Sequence, residues 1–344
     1  MTGAAESTAG YRAVGRLYNA LMTGLVLTLV SQRGADAAEA YVFGHFRRQH
    51  LEKFLPGLAK LGLDRLPHAV ACAQYHYFSN ALGGVKTEYM PESDTKAWVR
   101  YPPPRWIWQG TAICGIPRTV NEAMLHGWHG HNGVSLGNPR LGFVCTGQTV
   151  AGDPGLEGYY FEYDRDLAPE ERVRFAENER APPRDPAGEP VLESAAWPAE
   201  RRAKIERAYA VEYLRTMLPV MQDQWGAAEG AALIGRTARL IGLQFHEATM
   251  AELGIAGRGA ADFALLLQRL AVAQGEVAEI GRDRGAVTVV QKGWRLIEGL
   301  PVAPEMALDA WNPLWEGALA AHDRFLRLET ALVDGGIVWR IGGG

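Results

Sequence analysis

Residues able to do acid/base or metal chemistry are concentrated in one short stretch, Leu125–Gly133. His126, His129, His131 and Asn132 fall within seven residues of this stretch, although the whole chain has only nine histidines. His126 and His129 are three residues apart, so on a helix they share a face and could bind one metal ion. His131 could then supply a third nitrogen. The spacing therefore allows a divalent metal site, although it matches no established zinc signature.

Two other interpretations of the same stretch remain open. Without a metal, His129 or His131 could transfer protons or hold a ligand at neutral pH. Gly127, Gly130 and Gly133 also favour a tight turn, in which the histidines only bind nearby backbone groups. The first interpretation predicts catalysis, and the second predicts a structural role.

A thiol and two carboxylates are further candidates for catalysis. Cys145 lies in an expected strand and could act as a nucleophile if a histidine lowered its pKa, although a free cysteine is more often a small buried apolar residue. Glu88 and Glu162 also lie on expected strands, and a carboxylate that faces inward among aromatic rings has a raised pKa and could serve as acid or base. Glu279 matches Glu88 in the second half of the chain, which is an argument for a shared structural role.

Aromatic and amide side chains could form the walls of a small-molecule pocket. Asn132 and Gln148 would supply polar groups, Tyr75 and Trp128 apolar surface, and Trp106 a lid, because it follows a proline run in an expected loop. Ordinary core packing is the alternative for the aromatic residues.

Composition excludes several classes of protein. The chain has 344 residues, 47 % hydrophobic and 22 % charged, which is the balance of a globular protein. Its net charge of −4 without a basic block gives no reason to expect nucleic acid as a partner. The three cysteines form no CxxC pair, which favours a reducing compartment over a disulfide framework. There is no GxGxxG after a strand, no phosphate loop, no GxSxG and no HExxH.

The apolar run Ala20–Val30 needs a decision between export and burial. Arg12 and Arg16 precede it and Ala35–Ala37 follows, which is the order of a signal peptide. The run is too short to cross a membrane, for which about 20 apolar residues are needed. We expect a buried helix and a cytoplasmic protein without a membrane partner.

Periodicity and turn residues predict the order of elements in the first half. Residues 165–198 are rich in proline and charge and are expected to form a linker between modules 1–164 and 199–344. The elements expected before this linker are helices at 11–30, 34–58, 66–80 and 117–130 and strands at 85–89, 96–101, 141–148 and 158–163.

The second half repeats this order. The spacing from Gly34 to Gly62 equals that from Gly226 to Gly254. The corresponding elements are helices at 199–222, 226–253, 260–275 and 304–321 and strands at 276–280, 286–291, 325–330 and 336–341. The pattern predicts an α+β fold made of two copies of a helix-rich module with a small antiparallel sheet, arranged as an internal pseudo-dimer. The second copy has no counterpart of the histidine stretch, so chemistry is expected in the first.

The second half resembles the L-2-amino-thiazoline-4-carboxylate hydrolase-like family, a branch of the four-vinyl-reductase-type ligand-binding fold. The resemblance covers Arg207–Ile341, with a fainter match over Tyr11–Tyr163, and no short signature anchors it. It rests on Leu253-Gly254, Glu279–Gln291, Trp311–Ala321 and Ile337–Ile341. The family implies an α/β ligand pocket, self-association of modules and, in some members, hydrolysis of a small heterocycle. No family catalytic residue matches a position here.

These observations lead to three hypotheses of function. The first is a hydrolase or lyase that acts on a small polar nitrogen- or sulfur-containing compound, with His129 or His131 moving protons, assisted by Glu88 or Glu162. The second is a non-catalytic ligand-binding or sensor protein, and the third is a metalloprotein. The first two require no cofactor. A homodimer is considered as the assembly.

Overall fold

The computed structural model describes residues 3–343, which fold as a mixture of helices and two small sheets, as an α+β chain should. The elements up to residue 197 are α1 (Gly3–Arg33), α2 (Ala35–Lys60), α3 (His68–Leu82), β1 (Glu88–Ser93), β2 (Lys96–Tyr101), α4 (Arg118–Gly127), α5 (Asn132–Ser135), β3 (Leu141–Gly147), β4 (Leu156–Glu162) and β5 (Val173–Phe175). Those that follow are α6 (Ala199–Glu252), α7 (Ala260–Gln274), β6 (Val277–Asp283), β7 (Ala286–Lys292), α8 (Pro304–Trp311), α9 (Pro313–His322), β8 (Leu326–Val333) and β9 (Gly336–Gly343).

The chain divides into two compact units whose boundaries differ from those expected from the sequence. The inner unit is Leu29–Trp197, and the outer unit comprises the residues up to Thr28 and those from Pro198 onward. The first boundary falls within α1, since Tyr18 of this helix hydrogen-bonds to Gln274 and Trp311 of the outer unit.

The segment expected as a linker, residues 165–198, is largely part of the inner unit. Its strand β5 pairs in parallel with β3, with Phe143 opposite Val173. Further along, the carboxylate of Glu189 accepts hydrogen bonds from the Tyr77 hydroxyl and the Tyr89 backbone N–H. Its proline content therefore reflects an irregular path along the unit and not a free connection.

The inner unit is a five-stranded sheet with the order β1-β2-β4-β3-β5, which packs against α3. The register places Ala97, Tyr160 and Phe143 in one row across the sheet. The Tyr160 ring faces the histidine stretch, as its contact with His129 shows. The opposite face carries a buried apolar cluster of Met90, Trp98, Val144 and Tyr159, on which Phe161, Ala176 and Ala181 pack.

The outer unit has a four-stranded antiparallel sheet with the order β6-β7-β9-β8, and α7 packs against it. Tight turns set both hairpins. Arg284-Gly285 and Asp334-Gly335 all have positive φ, which is the conformation of the type I′ turns that join neighbouring strands.

Two glycines interrupt the helices at matching places in the two units. Gly34, between α1 and α2, has φ 87 and ψ 172, and Gly226, within α6, has φ 76 and ψ 167. Only glycine adopts this region readily, because a Cβ would clash with the backbone. Gly62 and Gly254 both have φ 68 and follow the ends of α2 and α6. The glycines at these positions are required by the backbone.

α1 is the one helix among residues 3–343 that is long and apolar enough to cross a membrane. In its most apolar 18-residue window, 67 % of the residues are buried inside the protein. Core helices of soluble proteins and signal sequences can be equally long and apolar, so length and composition alone do not distinguish them from a membrane span.

Candidate functional site

α4 ends at Gly127, inside the histidine stretch Leu125–Gly133. This end lies three residues before the end of the helix expected over 117–130. Gly127 closes the helix, and a Cβ at this position would lie 2.8 Å from the carbonyl oxygen of Phe43 in α2. The Arg47 guanidinium donates to the carbonyl oxygens of Gly127 and His126 at 2.8 and 2.9 Å. A single 3-10 turn, His129–His131, then leads into α5. The close helix packing and the arginine together fix the direction of the turn.

His129 is buried between rings from three different elements. Its ring stacks on His76 of α3, with centroids 4.3 Å apart and planes at 11°. The Phe143 ring of β3 lies on it at 4.3 Å. Its Nδ1 is 2.7 Å from the Tyr160 hydroxyl of β4, to which Asn132 Nδ2 also donates at 3.0 Å. The imidazole is therefore held in position and bound to a second group that can exchange protons.

Two more histidines extend this group, and the set of His50, His76, His129 and His131 is called the histidine cluster below. The rings of His50 and His131 meet edge to face at 5.2 Å. The Trp128 indole contacts both parts of the cluster, at 5.4 Å from His50 and 5.9 Å from His76. His50 Nε2 is 2.9 Å from the Ser135 hydroxyl at the end of α5. The cluster thus joins α2, α3 and the turn after α4.

Burial keeps these imidazoles uncharged. It lowers the pKa of His50 and of His76 from the ordinary 6.5 to about 3, and it lowers the pKa of His129 well below 6.5. The pKa of the less buried His131 is lowered too, again chiefly by burial. Removing an imidazolium from water is unfavourable unless an anion compensates for it. All four rings are therefore neutral bases at physiological pH.

Arginines add to this effect. Arg105 lowers the pKa values of His76 and His129, and Arg47 and Arg172 lower the pKa of His131. Within the described residues, the side chains that carry a charge at neutral pH and shift these four pKa values are arginines. A proton or a ligand cation is therefore disfavoured here, and negative charge is favoured.

Several polar atoms around the cluster are buried but have no hydrogen-bond partner among residues 3–343. They are His76 Nε2, the Tyr101 hydroxyl, Trp128 Nε1 and Asn132 Oδ1. Each such group costs about 1–3 kcal/mol of folding free energy when it is left unpaired. The rings of Tyr101 and Trp128 lie 6.4 and 5.9 Å from that of His76. The unpaired donors and acceptors thus belong to one neighbourhood.

The residues expected as metal ligands do not converge. His126 is half-buried beside Phe175, with ring centroids 6.1 Å apart, whereas His129 faces Tyr160 and His131 faces His50. No group of three His, Cys, Asp or Glu side chains suited to a metal ion occurs among residues 3–343. The donor set of the histidine stretch therefore does not fit a metal ion.

Cys145 is placed as a structural residue. It lies in β3 opposite Gly158, and its thiol donates to the Gly147 carbonyl oxygen at 3.5 Å. Burial raises the thiol pKa to about 12. Since the thiolate is the reactive form, this cysteine is not prepared for attack at neutral pH.

The two candidate carboxylates are held in ion pairs away from the cluster. Glu88 accepts a hydrogen bond from Arg100 Nε at 2.6 Å and lies 3.7 Å from Arg184 Nη1. Glu162 accepts from Arg140 at 2.5 Å. Neither carboxylate is bonded to a histidine, so their expected role as assisting acids or bases gains no support from the geometry.

The expected binding residues fall into two groups. Asn132 and Trp128 lie beside the histidine cluster. Tyr75 lies next to them, with its ring stacked on that of Trp128 at 6.2 Å. Gln148 instead belongs to a separate group of hydrogen-bonded side chains. Its amide oxygen accepts a hydrogen bond from Asn121 at 2.7 Å, and its amide nitrogen donates one to Glu122 at 3.0 Å.

Trp106 is half-buried and lies in the turn region between β2 and α4. This position does not test the role of Trp106 as a lid, which stays a prediction.

Sequence reasoning missed residues that complete the site. His76 and Tyr160 are not among the candidates that the sequence indicates, although they lie in an expected helix and an expected strand. His76 is buried in a helix and Tyr160 is buried in β4. A buried histidine on a helix and a buried tyrosine on a strand were the available signals, but only the fold brings them to His129.

A scan against protein-family models, a search of curated proteins and a search of solved structures each found no match to this chain.

Proposed function

We propose that the inner unit is a small-molecule enzyme, a hydrolase or lyase that acts on a small polar nitrogen- or sulfur-containing compound, with His129 as the proton-transferring group. The observation that carries this proposal is the pairing of a buried, neutral His129 with the Tyr160 hydroxyl at 2.7 Å, beside buried polar atoms without partners. General acid/base catalysis needs a group that can hold or release a proton at a fixed place.

The hydrogen bonds around Tyr160 allow two states of the His129 ring. If the Tyr160 hydroxyl donates to Nδ1, then Nε2 carries the ring hydrogen and can polarise a carbonyl or an amidine of the substrate. If Nδ1–H donates to the Tyr160 oxygen, then Nε2 offers a lone pair and accepts a proton. Asn132 donates to Tyr160 in both states and fixes its oxygen. A change between the two states reverses the direction in which the ring can transfer a proton.

The cationic surroundings suit a reaction that develops negative charge. Proton removal from a bound compound leaves an anion, and Arg105 is near enough to act on the pKa values of both His76 and His129. An imidazolium formed on His129 is then stabilised by the new anion, although it is unstable in the free protein. Substrate binding and proton transfer are therefore coupled.

Binding without turnover is the second candidate, and the burial of the cluster favours it. His129 is only 6 % exposed and His76 only 5 %. A site so enclosed retains a ligand well but must open to exchange it. The function would then be that of a ligand-binding or sensor module.

The test begins with a thermal-shift screen of the purified full chain against small amides, amidines, thioesters and nitrogen or sulfur heterocycles. Compounds that raise the melting temperature are then incubated with the protein and followed by mass spectrometry. We expect wild type to consume a bound compound and His129→Gln to bind it without consuming it. His246→Gln is the matched control, because His246 is also buried, has a pKa lowered to about 4 and pairs with another histidine at 3.1 Å in the outer unit. Binding with no turnover would support the second candidate, and unchanged turnover by His129→Gln would exclude this residue as the proton carrier.

We further propose that residues 1–164 and 199–344 are two copies of one module, in a cytoplasmic protein related to the four-vinyl-reductase-type fold. The equal strand order of the two sheets, with β1, β2, β4 and β3 in the places of β6, β7, β9 and β8, supports a duplication. The matched conformations of Gly34 and Gly226 support it independently. The test is the pair of glycine substitutions described in the Discussion.

A further inference from the structure

The two sheets differ in what covers them. In the inner unit, the segment after β4 covers the face formed by Met90, Trp98, Val144 and Tyr159, and its strand β5 occupies the free edge of β3. In the outer unit, β8 holds the position of β3 in the strand order, and no strand of the described chain pairs with its other edge. The edge of β8 is therefore open in the single chain.

β8 lacks two of the features by which edge strands avoid pairing with another chain, a proline and a bulge. It has eight residues, contains no proline and pairs with β9 without any register shift. The opposite example is β1, an edge strand that contains Pro91 and an irregular register between Pro91 and Ser93. Regular exposed edges are templates for strand addition unless charge, proline or a bulge blocks them. β8 is thus suited to accept a further strand.

The exposed side of β8 carries an alternating set of side chains. Its exposed strand residues are Arg327, Glu329, Ala331 and Val333, and Phe325, just before the strand, is 69 % exposed. Arg327 has no ion-pair partner among residues 3–343, and Glu329 reaches only Arg340, at 3.9 Å. Opposite charges two residues apart, flanked by apolar residues, form a pattern that can complement itself.

The other open edge of the same sheet does not offer this pattern. On β6, Glu279 is paired with Lys292 at 2.6 Å, and Asp283 is paired with Arg340 at 3.0 Å. Of the charged residues of β6, only Arg282 has no ion pair among residues 3–343. The β6 edge therefore offers one uncompensated positive charge, whereas the β8 edge carries two opposite charges that can pair with a second copy.

We propose that β8 pairs antiparallel with β8 of a second copy of this chain, with the twofold axis through Leu328. This register places Arg327 opposite Glu329 of the second copy, and Glu329 opposite Arg327 of the second copy. Directly opposed residues of antiparallel strands lie on the same face, about 4.5–5.5 Å apart, so both ion pairs form on the exposed side. Phe325 falls opposite Ala331 of the second copy. The two sheets become one eight-stranded sheet.

Neighbouring registers are excluded by the same charges. An axis through Arg327 places two arginines opposite each other, and an axis through Glu329 places two glutamates opposite each other, both of which are unfavourable. An axis through Thr330 places Arg327 opposite Val333 and Glu329 opposite Ala331. Of these registers, only the one centred on Leu328 pairs both charges and also places Phe325 opposite Ala331.

The size of the contact sets its expected strength. One strand edge with flanking side chains is smaller than the roughly 1,600 Å² of a standard stable interface. We therefore expect a reversible dimer with a dissociation constant in the micromolar range, which sedimentation equilibrium of the full chain can measure.

The decisive experiment is a charge swap. Arg327→Glu and Glu329→Arg each create two like-charge contacts per dimer and should weaken association about tenfold or more, which corresponds to about 1.4 kcal/mol. The double variant Arg327→Glu/Glu329→Arg restores opposite charges and should return the dissociation constant to within about threefold of wild type. Glu279→Arg, an equally exposed change on the other edge, is the control and should have no effect. Circular dichroism checks that each variant is folded.

A cross-link tests the register itself. In a Cys114→Ser background, which removes the exposed native thiol, Arg327→Cys protein is mixed with Glu329→Cys protein under mild oxidation. We expect a disulfide-linked dimer from the mixture and much less from either variant alone. Wild type that remains monomeric at about 100 μM, a double variant that stays dissociated, or a cross-link that forms equally within single variants would each overturn the proposal.

Discussion

The two units share a strand order but differ in what they place beneath the sheet. In the outer unit, indoles and a tyrosine fill this space and bind each other: Trp311 Nε1 donates to the Tyr18 hydroxyl at 3.0 Å, and Tyr18 donates to Gln274 at 2.5 Å. In the inner unit, the rings of His76 and His129 occupy the space next to Tyr160. At this place beneath the sheet, the outer unit has large aromatic side chains that bind each other, whereas the inner unit has imidazole rings that can exchange protons.

A pair of asparagines makes the difference specific. Asn312, between α8 and α9, accepts hydrogen bonds from Trp339 and Thr330 and donates to Glu316, so both its oxygen and its nitrogen are bonded. Asn132 donates to Tyr160, but its Oδ1 has no partner. Unpaired buried groups lower stability and persist mainly where function requires them. The difference is one between these two asparagines, because the outer unit also holds buried polar atoms without partners, at Trp294 Nε1, Trp315 Nε1 and Gln291 Oε1.

The largest expected effect is acid unfolding confined to the inner unit. Burial lowers the pKa values of His45, His50 and His76 to about 3, and that of His129 well below 6.5. The unfolded chain therefore binds more protons below pH 6.5, and the stability present above that pH is lost as the pH falls toward 3. Each such histidine removes about 1.4 kcal/mol per pH unit.

The outer unit has one histidine with a strongly lowered pKa, His246, at about 4. Between pH 7 and 4.5, hydrogen exchange corrected for intrinsic rates should show protection lost in α3 and β4 before it is lost in β7 and β9. Equal loss in both units would break the comparison.

The second prediction concerns the aromatic core of the outer unit. Trp339 is almost fully buried, with its Nε1 bonded to Asn312 at 3.0 Å. Trp339→Ala should lower the free energy of unfolding by about 3–5 kcal/mol, from the lost burial and the cavity. Urea unfolding at pH 7.5 measures this, with Leu240→Ala as the control at an exposed position of the outer unit, where the change should cost less than about 0.5 kcal/mol.

The third prediction sharpens the similarity of the units. Gly34→Ala and Gly226→Ala should each cost about 1–3 kcal/mol, because both positions have positive φ and the cost is purely that of the backbone. A Cβ at either site would meet no atom within 4 Å, so packing does not contribute. Urea unfolding should give values within about 0.5 kcal/mol of each other. A large inequality would count against a duplicated module.

The smallest expected effect is on stability in the histidine cluster. His129→Phe should change the free energy of unfolding by less than about 1.5 kcal/mol, since the lost bond to Tyr160 is offset by replacing a buried polar ring with an apolar one. Binding of any compound found in the screen should nevertheless fall at least tenfold. A cost near that of Trp339→Ala would mean that the cluster is structural.

Most of the fold could be predicted because the residues that mark the ends of its helices and strands lie next to those elements in the sequence. Every expected strand is present, and the hairpin strand expected at 96–101 coincides with β2. Gly34 and Gly226 mark helix breaks, where the positive φ of the backbone requires glycine. The limits of α4 were wrong, because Gly127 ends the helix to allow close contact with α2, a partner distant in sequence.

The site could be predicted only in part, for a related reason. His129 and Asn132 were identified because histidines were dense in the sequence, but His76 and Tyr160 come from elements 53 and 31 residues away from His129. The strand faces were also undecided, and they place Glu88 in an ion pair with Arg100. Which distant side chains meet is set by sheet register and helix packing, which a single sequence does not reveal.

The division of the chain also bears on folding during synthesis. The part of α1 up to Thr28 is made before the inner unit, whereas the other residues of its own unit begin at Pro198. At about 5–20 residues per second, the ribosome needs roughly 10–30 s to make the residues between them. The inner unit is complete by then, while the apolar side chains of this part of α1 still lack the partners that bury them. This part of α1 is therefore synthesised before residues 29–197 but buried after they have emerged.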